Sequence, residues 1–162
     1  MFPLKNYKYK LPIGEELGAF GIIRKHDVHT GVDMYCEVGD DVVTMEDGVV
    51  VAVEFFTGPR VDMPWWNDTQ AVAIKGKSGI INYGEVRAYL EVGDEVKEGD
   101  LVGWVIPVLK KDKSKVPSTS MLHLELYTEY DGKWAMWEIG DEQPNNLLNP
   151  TSLLQNASIL LI

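Results

Sequence analysis

The segment Glu37-Val38-Gly39-Asp40-Asp41-Val42 returns later in the chain as Glu91-Val92-Gly93-Asp94-Glu95-Val96, altered only by an Asp-for-Glu exchange. Each copy reads as a Gly-Asp turn feeding a strand, because glycine takes the backbone angles a tight turn needs and aspartate bonds its own turn amides. Two copies predict a β architecture in two related halves and are too few for a solenoid. Chance convergence on a good turn sequence would leave the same trace.

The rest of the chain fits that constraint. Val42 to Phe56 is rich in valine, with Gly48 expected as a turn. Ala71-Val72-Ala73-Ile74-Lys75 and Gly79-Ile80-Ile81-Asn82-Tyr83 read as short strands around a Gly/Ser turn, and Leu101–Ile106 and Leu122–Tyr127 as two more. Short strands at close spacing with glycine-bearing turns predict an all-β sandwich or barrel. Helical turns are expected only at Glu85–Tyr89 and Pro144–Leu154. Thr57–Thr69, Pro107–Ser120 and Tyr130–Asn149 read as loops. No linker divides the chain, so one domain over residues 1–162 is expected, a length that buries an adequate core.

Charge and composition exclude several functions. The net charge is −10, with 25 acidic against 15 basic residues. Nucleic acids are held by clustered Lys and Arg that displace counterions, so neither they nor anionic membranes are expected partners. No run approaches the roughly 20 apolar residues of a membrane helix. The start Met1-Phe2-Pro3-Leu4-Lys5 lacks the apolar stretch of a secretory signal, so a cytoplasmic or virion-associated protein is expected, extracellular only by a non-Sec route. The single cysteine, Cys36, has no internal disulfide partner. The greasy ending Ser158–Ile162 reads as a last strand or a docking segment.

Two of the chain's three histidines sit in telling places, His29-Thr30-Gly31-Val32-Asp33 and Leu122-His123-Leu124-Glu125. Zinc takes imidazole nitrogen and carboxylate oxygen, and catalytic sites use three protein ligands with the fourth position left to water. Positions i and i+4 of an extended segment share a face, so His29 and Asp33 can converge, with Gly31 leaving room between them. Alternation on the second strand puts His123 and Glu125 on one face and Leu122, Leu124 and Leu126 on the other. That is the placing of a ligand beside an outer carboxylate partner. An unrelated surface pair and a lone strand histidine would look the same. His26 reads as a loop residue. Lys110, Lys111, Lys113 and Lys115 read as a solvated loop, or as a basic lip for an anionic ligand. Trp65 and Trp66 read as a cap on the sandwich, or as a rim on which sugar rings stack.

In combination these blocks resemble the lysostaphin-like zinc endopeptidases that cut peptidoglycan cross-links. His29–Asp33 is similar to the family's H-x-G-x-D block. Tyr83-Gly84-Glu85-Val86 is similar to Y-G-H-L, and Val92–Gly103 follows the family's V-x-x-G-D-x-V-x-x-G-x-x-I-G run. Met121-Leu122-His123-Leu124-Glu125 is similar to H-L-H-F-E, and Asn149–Leu154 resembles D-P-x-x-Y-L. The resemblance is strongest over residues 20–128. It implies a β-sandwich of the barrel-sandwich hybrid (duplicated hybrid motif) type and Zn2+ held by His29, Asp33 and His123. It also implies a cell-wall peptide or glycopeptide as substrate. The chain departs from the pattern where it matters for turnover. Met121 replaces the first histidine of H-x-H, and a thioether carries no proton at neutral pH. Glu85 replaces the histidine of Y-G-H-L and is the candidate general base. The alternative is a catalytically inactive zinc-binding or structural module on the same fold.

Overall fold

The computed structural model describes residues 1–111 and 119–157. The chain is all-β. Among the described residues nine strands form one antiparallel sheet: β1 (Val32–Tyr35), β2 (Asp41–Val43), β3 (Gly48–Thr57), β4 (Thr69–Gly76), β5 (Gly79–Ala88), β6 (Glu95–Val96), β7 (Leu101–Val105), β8 (Met121–Tyr127) and β9 (Leu147–Leu148). Helix α1 (Thr151–Gln155) closes the described part, within the C-terminal stretch where a helical turn was expected. The main path runs β1-β8-β5-β4-β3-β6, with β7 also on β5, β2 on β7 and β9 on β8. This continuous sheet agrees with the barrel-sandwich hybrid type. Among the described residues no helix is long and apolar enough to cross a membrane. Lys113, Lys115 and the apolar ending lie outside the described residues, while Lys110 and Lys111 are solvent-exposed.

The echo is a structural repeat. Gly39 has φ 90° and Gly93 φ 92°. Asp40 Oδ2 accepts from the Glu37 amide at 3.0 Å, and Asp94 Oδ2 from the Glu91 amide at 2.8 Å. The halves then exchange strands: β2, after the first turn, pairs with β7, and β6, after the second, pairs with β3. The exchange is reciprocal to the level of single bonds. Gly39 N–H donates to Val105 O and Val105 N–H to Asp40 O; Gly93 N–H donates to Val50 O and Val50 N–H to Asp94 O. A third turn of this kind precedes β7, where Asp100 Oδ2 accepts from the Lys97 amide at 2.8 Å.

Two local expectations are corrected. Gly48 is not a turn but the first residue of β3. A Cβ there would collide with the Lys75 carbonyl oxygen, so glycine is needed for strand proximity. Glu85–Tyr89 is not helical, because residues 79–88 are β5.

Strand alternation separates two cores. Val32 and Met34 of β1 and Leu122, Leu124 and Leu126 of β8 enter the larger core together with Val72, Ile81 and Tyr83. Each fully buried leucine or valine there contributes about 1.5–3 kcal/mol. On the opposite face a smaller core of Ala52, Ala73, Ile80, Tyr127 and Leu147 is covered by Phe20, Trp134 and Trp137. The odd-numbered residues of β8 point to this second face, and the candidate site is built there.

Candidate metal centre

Asp33 and His123 stand directly opposite each other in the β1–β8 ladder. His29 arrives differently from the extended i, i+4 geometry expected. Its amide donates to Ile22 O and its carbonyl accepts from Gly21 N, both at 2.9 Å, and the chain bends at Gly31 before β1 begins. Gly31 makes room chiefly for the opposing strand, since a Cβ there would lie 2.5 Å from Leu124 O and 2.9 Å from the His123 ring.

Three ligand atoms converge. His29 Nε2 is 3.1 Å from Asp33 Oδ1 and 3.2 Å from His123 Nδ1, and His123 Nδ1 is 2.7 Å from Asp33 Oδ1. The edge of a tetrahedron with zinc–ligand bonds of about 2.0–2.1 Å is roughly 3.3 Å, so the triangle is close to the required size. All three residues are buried.

The outward-facing ring nitrogens assign the tautomers. His29 Nδ1 lies 2.9 Å from Ala19 O, a group that only accepts, so Nδ1 carries the proton and Nε2 faces the triangle with a lone pair. His123 Nε2 lies 2.9 Å from Glu125 Oε1, which likewise leaves Nδ1 facing inward. Once a cation displaces the Nδ1 proton of His123, two lone pairs and a carboxylate oxygen meet in one small space, a donor set that fits a cation. Burial works to lower the His123 pKa, but Asp33 and Glu125 hold it well above its ordinary value. Burial raises Asp33, and its bonds to His123 and His29 outweigh that and pull it below the usual carboxylate range.

Glu125 is where the sequence placed it, beside His123. Its Oε1 accepts from Thr30 Oγ1 (2.8 Å) and His123 Nε2, and its Oε2 from Asn82 Nδ2 (3.1 Å) and Tyr127 Oη. Sequence reasoning missed Thr30, Asn82, Tyr127 and the Gly18-Ala19 carbonyls. Gly18 O accepts from the Asp33 amide at 2.9 Å, as Ala19 O does from His29. An asparagine inside the apolar run Ile80–Tyr83 was the one available signal.

Glu85 is not part of the triangle but lies next to it. In β5 the register passes from Ala71↔Gly84 to Gln70↔Val86, which leaves Glu85 as an unpaired bulge with φ 65°. There β5 changes neighbour, from β8 at Ile80–Gly84 to β7 at Val86–Ala88. A left-handed non-glycine residue costs of order 1–3 kcal/mol and bulges re-aim side chains. Among the described residues, Glu85 Oε2 is buried without a hydrogen-bond partner. Burial, then the neighbouring Asp33, pushes its carboxyl up to about 8; a bound dication would act in the opposite direction. Met121 is half-buried on the same strand face as His123 and Glu125, paired with Tyr35 of β1. His26 is exposed and outside the cluster. Trp65 and Trp66 pack edge to face at 6.1 Å, with Trp65 exposed.

No family profile and no curated protein sequence matches the chain. Solved structures do. CbpA from L. salivarius REN is 16% identical with a TM-score of 0.59, over 90% of this chain and 88% of that one. The catalytic domain of the antimicrobial peptidase lysostaphin from Staphylococcus simulans is 20% identical with a TM-score of 0.53, over 91% and 92%. A zinc-containing peptidase from Vibrio cholerae is 18% identical with a TM-score of 0.52, over 78% of this chain but 36% of that longer one. The chain likewise spans 50% of a longer lysostaphin structure. With its reciprocal repeat, its single antiparallel sheet and these likenesses, the chain has the lysostaphin-like peptidase fold.

Proposed function

We propose that this protein is a zinc-dependent endopeptidase acting on peptide cross-links of the peptidoglycan type. The observation that carries the reading is the pair of histidines whose outward nitrogens are bonded, so that His29 Nε2 and His123 Nδ1 both face Asp33 Oδ1. His29, Asp33 and His123 would hold the metal. When bound, zinc supplies Lewis-acid polarisation of the scissile carbonyl and lowers the pKa of bound water toward about 7. Glu85 Oε2, buried and without a partner among the described residues, is the atom that accepts the proton of the attacking water and returns it to the leaving amine. Glu125, through His123 Nε2, keeps His123 oriented throughout. The fold likeness to lysostaphin supports the substrate class.

A second reading is favoured by one residue. Met121 has neither a proton to donate nor a strong acceptor, and losing one oxyanion donor costs roughly 10²–10³ in rate. On that reading the protein binds zinc and cell-wall peptide without efficient turnover.

The test is digestion of purified peptidoglycans with differing cross-bridges, with released fragments identified by mass spectrometry. Glu85→Gln should keep its zinc and lose about 10²–10⁴ in cleavage rate. Undiminished cleavage by Glu85→Gln removes the base from the account. Zinc-loaded wild type that cleaves none of the panel supports the second reading.

A further inference from the structure

After β8 the chain turns back across the face that carries the candidate centre, and residues 130–141 form a strap pinned to both histidine-bearing segments. Ala135 N–H donates to Tyr127 Oη at 2.9 Å, and Tyr127 Oη donates to Glu125, whose other oxygen holds His123. Val28, immediately before His29, donates its N–H to Trp137 O at 2.9 Å. Ring contacts repeat this double attachment. Trp134 lies 5.9 Å from Phe56, which lies 5.4 Å from the His123 imidazole. Trp137 lies 5.7 Å from Phe20, next to the Ala19 whose carbonyl holds His29.

The bond directions form a one-way chain. Because Ala135 N–H occupies an acceptor site of the Tyr127 hydroxyl, the hydroxyl proton is left to point at Glu125. Hydrogen bonds in such a series polarise one another. A Glu125 carboxylate fully bonded on Oε2 accepts the His123 Nε2 proton on Oε1, and that acceptance makes Nδ1 the nitrogen turned toward the centre. We propose that Tyr127 is a positioning residue that couples the strap to the metal centre, so that strap closure and metal binding favour each other. The proposal rests on the zinc reading above. Coupling between two sites is reciprocal: zinc should tighten the strap by the same factor by which the closed strap tightens zinc.

The test pairs zinc affinity, read by competition with a chromophoric chelator, with amide hydrogen exchange at Val28 and Ala135 before and after zinc. In the wild type, zinc should slow exchange at both amides. Tyr127→Phe keeps the buried ring and removes the hydroxyl. It should weaken zinc binding about 10- to 100-fold, as losses outside the ligand shell do, and abolish the response of the Ala135 amide. Ala135→Pro removes the strap's donor without touching the buried Tyr127 ring and should also weaken zinc binding. Wild-type zinc affinity in both variants overturns the coupling, as does wild-type exchange that ignores zinc. A wild type that takes up no zinc is a different result: it fails the metal reading on which the coupling rests.

Discussion

Replacing Glu125 with glutamine is expected to weaken zinc binding about 10- to 100-fold with little change in side-chain volume. Four donors converge on this carboxylate: Thr30 and His123 on Oε1, Asn82 and Tyr127 on Oε2. Glutamine has one acceptor oxygen and an N–H2 group that must face one of those pairs. Facing His123, it requires the imidazole to move its proton to Nδ1, which then points at the metal position. Facing the other pair, Asn82 can turn its unbonded Oδ1 toward the new amide, but the Tyr127 hydroxyl loses its acceptor. Either way the charge that steadies His123 is gone. Chelator competition, with far-UV circular dichroism as a check on folding, reads the outcome. Wild-type affinity in Glu125→Gln would mean that His123 is not oriented through Glu125.

Gly31→Ala should abolish tight zinc binding and lower stability together. The added methyl would sit 2.5 Å from Leu124 O and 2.9 Å from His123 Cε1 and Nε2, distances that carbon atoms do not tolerate. Leu124 O is backbone in the middle of a fully paired strand, so relief requires β1 to move away from β8. That movement separates Asp33 from His123, which face each other across this ladder. Overpacking of this sort costs about 1–3 kcal/mol, which lowers Tm by several degrees in a domain of this size. Gly39→Ala is the matched control. Nothing lies within 4 Å of its added methyl, but its φ of +90° penalises alanine. It should lose stability from backbone strain alone and keep its zinc. Equal zinc affinity in Gly31→Ala and wild type would contradict the close approach of the two strands.

The contrast between those glycines shows what was legible in the chain. Gly39 and Gly93 announce themselves, because a Gly-Asp turn is a local device and its consequences stay within a few residues. The strands around Val72, Ile81 and Leu124 were legible for the same reason, from apolar runs and period-two alternation. The three residues of the candidate metal centre were legible as blocks, and β8 alternation placed Glu125 beside His123, where the structure has it. Gly48 was misread because its glycine answers to the Lys75 carbonyl, which arrives from another strand. The helical turn expected at Glu85–Tyr89 was a misreading of comparable cause. The left-handed backbone of Glu85 is imposed by the exchange of β8 for β7 along β5, and a glutamate gives no local sign of that. The outer bonds of the site were hidden more deeply. Ala19 and Gly18 contribute carbonyls, which every residue has, and Thr30 matters only because Glu125 lies opposite.

The proposed function stands or falls with His29, Asp33 and His123 forming one zinc site. Elemental analysis of the purified protein, with His123→Ala prepared in parallel, tests it most directly. Wild-type protein should carry about one zinc per chain, and His123→Ala none. A wild-type chain that holds no zinc after loading with excess metal would contradict it.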